Sequence, residues 1–231
     1  MKFPNSPSFN TRTLEDFKAR LRGGGARPNL FECVIQFPTL LDGKLSNDEK
    51  TSIKEDTRFM IKAANLPASN VNVIDVPFRG RNLKVAGDRT FDVWTITVIN
   101  DVDFNIRTSF EKWMNMINKH DDNSGITRPG QYQTDAYVYQ LGRNEGAKAS
   151  EAQSIPTGGS SIPVLKSYRF YGVFPTNVSS IELSYDQADT IEEFTVDLQV
   201  QWWDALDDEG NSQMNPGDTE APGGGETGAG L

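Results

Sequence analysis

Cysteine and histidine occur once each in this chain of 231 residues, as Cys33 and His120. A disulfide within the chain is therefore impossible, and there is no Cys/His cluster to hold zinc. Cys33 alternates with Phe31 and Ile35 in "LFECVIQF" and reads as a buried structural thiol rather than a nucleophile. His120 closes a predicted helix, where a cation suits the negative end of the dipole, and reads as a cap.

Long apolar runs are also missing. No stretch approaches the roughly 18 to 20 apolar residues that a membrane span requires, so membrane insertion is not expected. The first 29 residues contain no continuous apolar segment between their charges and do not read as a secretory signal. Basic residues are absent from 204–231, which carries seven acids and no Lys or Arg. Residues 1–29 carry six basic and two acidic groups, so much of the formal charge of −9 belongs to the C-terminal tail and the middle is only mildly acidic. A nucleic-acid-binding face normally clusters Lys and Arg to release phosphate counterions, and such clustering is not present.

Signals for catalysis are equally sparse. Glu192 and Glu193 are adjacent on a predicted strand and point to opposite faces, while Asp207 and Asp208 fall in the tail. "RGGGARP" is glycine-rich but lacks the spacing of a phosphate-binding loop. No catalytic, cofactor or metal residue is predicted, and the chain is not expected to be an enzyme.

Period-two alternation is what dominates. "EEFTVDLQVQW" puts Phe194, Val196, Leu198, Val200 and Trp202 on one face and Thr195, Asp197, Gln199 and Gln201 on the other. "SIELSYD", "RFMIKAA", "VNVIDVPF", "AYVYQL" and "LKSYRFYGVF" are further strand candidates. In "VAGDRTFDVWTITVIND", Trp94, Ile96 and Val98 form a strongly apolar face, with Phe91, Val93, Thr95, Thr97 and Ile99 opposite. If the first face packs in the core, the second lies under a helix or against another subunit. Gly87 and Asp88 read as a local turn before this strand. One stretch breaks the pattern: Ile106, Phe110, Trp113 and Ile117 recur at spacings of four, three and four, an apolar helical stripe. The predicted fold is mainly β, a closed barrel or sandwich with one packed α-helix.

Three parts are expected. Residues 1–25 form an arm with a short amphipathic helix bearing Leu14, Phe17 and Leu21, capped by Thr13, and hinged at "RGGGARPN". Residues 26–204 form the body, with polar surface loops enlarged near 39–56 and 142–163; the first contains "LSNDEKTSIK", a candidate short helix. Residues 205–231 form an acidic, Gly/Pro-rich tail too poor in large apolar side chains to offset its ordering entropy.

"ARPNLFECVIQF", "FMIKAANLPAS", "VPFRGRNLKVAGDRTFDVWTITVINDVDF", "FYGVFPTNVSSIELSYD" and "IEEFTVDLQVQWWD", in that order, resemble the tail tube proteins of T4-like contractile-tailed bacteriophages. "NLKVAGDRTFDVWTITVIND" and "FPTNV" are the most specific pieces. The resemblance implies a structural subunit: hexameric rings with a continuous inner sheet, stacked inside a contractile sheath into a tube through which DNA is ejected. It implies partners in further copies of the chain, the tail sheath protein, the baseplate tube-initiator proteins and the tape-measure protein, with genomic DNA passing without sequence-specific binding. The location implied is the virion tail, with assembly in the host cytoplasm. Gly87, Asp88, Arg89, Val93, Thr95 and Thr97 are then candidate inter-subunit contacts, and Asp197, Gln199 and Gln201 candidate polar wall or lumen residues. The alternatives are a baseplate initiator ring of the same fold and, from a different class, a monomeric β-sandwich that binds carbohydrate.

Overall fold

The computed structural model describes residues 13–21, 25–42, 53, 56–143, 163–186, 188–207 and 212–213. Residues 22–24 of the hinge, the "LSNDEKTS" part of the first enlarged loop, most of the second loop and nearly all of the acidic tail lie outside the described residues.

Helix α1 (Leu14–Arg20) begins at Thr13, whose side chain accepts from the Asp16 N–H while the Asp16 carboxylate accepts from the Thr13 N–H. This reciprocal cap satisfies two donors that an uncapped helix leaves open. Glu15 and Asp16 in the first turn and Lys18 and Arg20 in the last suit the dipole.

Among the described residues nine antiparallel strands follow, beginning with β1 (Phe31–Ile35), β2 (Ile61–Ala64), β3 (Ser69–Phe78), β4 (Arg81–Phe91) and β5 (Trp94–Ile99). The remainder are β6 (Thr134–Leu141), β7 (Val164–Val178), β8 (Glu193–Gln199) and β9 (Trp202–Leu206). Seven make one sheet in the order β1-β6-β7-β8-β5-β2 plus β9 on β7, and β3 and β4 form a separate hairpin. Strand β7 joins the two halves of the large sheet: up to Val173 it pairs with β6, up to Tyr171 with β9, and from Phe174 onward with β8. Gly172 has φ +61°, and a Cβ there would come within 2.6 Å of Gln201 Cγ, so the bend needs glycine twice over. β1 and β2 approach each other without pairing, so the sheet is a partly open barrel rather than the closed one expected.

Alternation positions the core. Trp94, Ile96 and Val98 of β5 face Phe194, Val196 and Leu198 of β8, all essentially inaccessible to solvent, and Trp94 stacks on Phe170 with centroids 4.6 Å apart. α2 (Thr39–Asp42), α3 (Asn105–Ile117) and α4 (Pro129–Tyr132) are short except for α3, which carries the predicted stripe. Ile106, Phe110 and Trp113 are buried as expected, with Met116 joining them and Ile117 packing at the margin. Phe37 lies against both Phe110 and Trp113, and the Trp113 indole N–H donates to Tyr132 O at 2.8 Å. Cys33 is fully buried, which pushes its thiol pKa up to about 12.

Several expectations are corrected. "SIELSYD" forms no strand: β7 ends at Val178, β8 begins at Glu193, and residues 180–186 join no strand ladder. Its period-two pattern lacks the cross-strand neighbours that make such a pattern a strand. Of "RFMIKAA" only Ile61–Ala64 is extended, because residues 56–60 are helical and end directly on β2. "EEFTVDLQVQW" is two strands broken at Val200 and Gln201, so Trp203 rather than Trp202 packs on the core and Trp202 stacks outside on Tyr171. His120 lies three residues beyond the end of α3 and does not cap it. The loop at 39–56 is not wholly a surface feature, since Leu41 and Ile53 are buried. β9 runs to Leu206, which bridges Ser212, so sheet pairing continues two residues beyond the expected limit of the body.

Candidate functional site

The residues singled out in the sequence fall into two places. Gly87, Asp88 and Arg89 are not a turn; they lie inside β4. Val71 pairs with Arg89 but Val73 pairs with Ala86, so Gly87 and Asp88 together oppose Asn72. This is a β-bulge, which increases twist and bends the ribbon. The turn itself is Arg79–Gly80, a two-residue connection with positive φ at both positions (45° and 83°), the combination that matches strand twist in a tight hairpin.

Register assigns the hairpin faces. Ile74 pairs with Val85, Val76 with Leu83 and Phe78 with Arg81, so one face carries Ile74, Val76, Phe78, Leu83 and Val85 in an unbroken apolar patch. Asp75 pairs with Lys84 and Pro77 with Asn82 on the polar face, where Lys84 Nζ lies 2.9 Å from Asp75 Oδ1. All five apolar residues are 44–66% exposed. The alternation of "VNVIDVPF" was legible in the sequence; that no other described residue covers it was not.

The second place is the outer face of β5 and β8. Thr95 stands opposite Asp197 and Thr97 opposite Thr195. Thr95 Oγ1 donates to Asp197 Oδ1 at 2.7 Å, and Asn177 Nδ2 donates to Asp197 Oδ2 at 3.1 Å. Lys62 pairs with Glu193 along the same sheet. Thr95 and Thr97, expected as contacts, thus share a polar wall with Asp197 and Gln199. Val93 lies in the break between β4 and β5, largely exposed. Gln201 sits apart from them, exposed in the break before β9, with its N–H donating to Tyr171 O at 3.1 Å.

Sequence reasoning missed a third feature. Arg169 of β7 bonds Asp135 Oδ2 through Nη2 at 2.6 Å and lies over the rings of Tyr137 and Tyr171. Burial, the largest single influence, disfavours its charge, but the bond to Asp135 together with the charge interactions of Tyr137, Asp135 and Tyr171 outweighs it and raises the pKa. Together with Trp202 on Tyr171, this makes a rigid aromatic patch on the outside of β6, β7 and β9. Among the described residues, no group of three or more His, Cys, Asp or Glu is arranged to hold a metal, and no helix is long and apolar enough to cross a membrane.

A sheet with a polar outer wall and a separate ribbon presenting an uncovered apolar face defines a structural protein. The chain belongs to the phage tail tube proteins: the family so described matches residues 26–205. It is 32% identical over 182 residues to the tail tube protein gp19 of Enterobacteria phage T4, covering 79% of this chain and 93% of that protein. To the tail tube protein of Serratia phage KSP90 it is 28% identical over 189 residues, covering 81% and 93%. Among solved structures, one of the anti-feeding prophage baseplate shares the fold, with a TM-score of 0.51 at 11% identity, covering 79% of this chain and 95% of that one. These relatives are structural components of the virion tail, not enzymes, and this chain is a structural protein too. Family membership takes the place of the carbohydrate-binding alternative.

Proposed function

We propose that this chain is the repeating subunit of the inner tube of a contractile phage tail. Six copies form a ring, rings stack into a hollow tube, and DNA leaves through it. The observation that carries the reading is the apolar face of the β3–β4 hairpin. A two-stranded ribbon is at best marginally stable alone, and five half-exposed large apolar side chains on one face call for a partner. Joining copies through it turns an aggregation hazard into a specified contact. Val93 and the bulge residues Gly87, Asp88 and Arg89 serve this contact by setting the direction in which the ribbon leaves the body.

The polar wall of Thr95, Thr97, Asp197 and Gln199 faces the lumen in this reading, and Gln201, in the break before β9, lies apart from it. Hydroxyls, amides and a carboxylate without clustered Lys or Arg let a polyanion slide without capture. Sheath, baseplate initiator and tape-measure proteins are the other partners, and assembly takes place in the host cytoplasm. A second reading, a terminal ring of the same fold, is favoured by likeness to chains in solved structures of the anti-feeding prophage baseplate and of its tube-terminating cap, the latter with a TM-score of 0.50 at 15% identity, covering 79% of this chain and 91% of that one. Copy number in purified particles separates the two, since a tube subunit is abundant and a terminal ring is not.

Electron microscopy of the purified protein across a concentration series, with and without baseplates, tests the main reading. Hollow tubes with sixfold end views are expected. Monomers at every concentration, even with baseplates added, would overturn it.

A further inference from the structure

The segment between β7 and β8 presents a surface that the family assignment does not explain. Leu183 and Tyr185 are 85% and 106% exposed, and Ile191 projects beside them. They line an open groove of about 870 Å³ together with Ile181, Glu182 and Glu192. The groove is fixed to the body at its C-terminal end: Asn100 N donates to Glu192 O at 2.9 Å and Asn100 Nδ2 to Glu192 Oε1 at 3.2 Å. It is a held concavity with apolar walls.

Its lining is acidic. Glu182, Glu192 and Glu193 line it, Glu193 being paired with Lys62, and residues 180–193 hold no Lys or Arg. The β3–β4 hairpin has the opposite balance: Arg79, Arg81, Lys84 and Arg89 against Asp75 and Asp88. Two of those arginines flank the tip, where Arg79 lies over the Phe78 ring at 5.3 Å and Arg81 pairs with Phe78 across the turn. One chain therefore carries an apolar face with a basic tip and an apolar groove with an acidic rim, and both are exposed, so neither covers the other within the chain.

We infer that the hairpin of one copy docks in the 180–193 groove of the next, Phe78 and Leu83 packing on Leu183, Tyr185 and Ile191, with Arg79 and Arg81 meeting the acidic rim. The inference rests on self-assembly and specifies its contact. Such a contact joins two different patches and is head-to-tail, the kind that generates rings or stacks rather than closed dimers. Complementary charge fixes register and speeds encounter, while the apolar core supplies most of the affinity.

Cross-linking of assembled protein tests it. In a Cys33→Ser background, a Phe78→Cys chain is mixed with a Leu183→Cys chain, assembled and oxidised, with circular dichroism confirming that each variant is folded. A disulfide-linked heterodimer is the expected product. Tubes that form without it, or that give only Phe78→Cys homodimers, overturn the docking while leaving the tube reading intact; wild-type protein that never assembles, even on baseplates, overturns both. In a second arm, Arg81→Glu and Glu182→Arg are each expected to abolish tubes and their combination in one chain to restore them. Unimpaired assembly of either single variant counts against the contact.

Discussion

Thr95 Oγ1 donates to Asp197 Oδ1 at 2.7 Å across directly opposed positions of β5 and β8. Two sets of residues that sequence alone assigned to different roles are joined by this bond into one polar face. Asp197 also accepts from Asn177 Nδ2, and its carbonyl accepts from Thr176. Asp197→Ala removes a shared acceptor, and on a half-exposed face the expected cost is about 1–2 kcal/mol. Urea unfolding reads it; an unchanged midpoint would mean that water replaces the carboxylate fully.

Stability belongs to the other face of the same strands. Trp94 is fully buried and stacked on Phe170, so Trp94→Ala opens a large cavity and is expected to cost about 3–5 kcal/mol. Val102, 95% exposed, is the control, and Val102→Ala is expected to stay within about 0.5 kcal/mol of wild type. Similar thermal midpoints for the two variants would show that the core is not centred on Trp94.

Cys33 provides a pH signature. Its ordinary pKa of 9.0 is raised to about 12 by burial, with a smaller contribution from Glu32. Above pH 9 the unfolded thiol ionises while the folded one does not, so folding stability falls between about pH 9 and 12 and is undiminished by this group below that window. Iodoacetamide at pH 8.5 is expected to leave the native protein unmodified and to label it fully once unfolded. Cys33→Ala is expected to make the alkaline decline in stability shallower, though half-buried Tyr139 and buried Tyr171, whose pKa values are also raised, keep part of it.

The arm helix α1 is well capped yet exposes Leu14 and Phe17. A seven-residue helix is too short to persist on propensity alone, which makes it a segment that gains order by docking on a neighbour. Deleting residues 1–25 is expected to impair stacking while leaving the β-sheet circular dichroism signal unchanged. Normal tube growth after the deletion would remove the arm from the assembly mechanism.

Strands that alternate and have a partner were readable from the sequence. β5 and the last seven residues of "EEFTVDLQ" carry their burial pattern in their composition, and α3 declares itself through Ile106, Phe110 and Trp113. What escaped reading depended on tertiary neighbours. "SIELSYD" alternates as well as any strand here but has no ladder to join, and the pattern alone cannot report that. Gly87 and Asp88 are turn-forming residue types, and only the pairing of Val71 with Arg89 and Val73 with Ala86 reveals a bulge in mid-strand. The break at Gln201 lies where Gly172, far away in sequence, approaches so closely that a Cβ there would meet the Gln201 side chain.

Gly87 separates folding from assembly. A Cβ at this position would lie 3.1 Å from both Asn72 O and Ile74 Cγ1, closer than most side chains tolerate. Ile74 belongs to the apolar face of the hairpin, so Gly87→Val would displace the bulge and turn that face relative to the body. Because β3 and β4 pair only with each other, and their exposed residues take no part in the buried core, the large sheet has no reason to respond. The expected result is a protein with a nearly unchanged thermal midpoint that fails to form tubes. Gly80→Ala is the matched comparison: a Cβ there meets nothing within 4 Å, and the strain at φ +83° costs only about 1 kcal/mol in an exposed turn. That variant is expected to assemble, at higher concentration than wild type. If Gly87→Val assembles as well as Gly80→Ala, the geometry of the bulge does not direct the hairpin to its partner; if it unfolds the body, the hairpin is coupled to the core more tightly than its separate pairing implies.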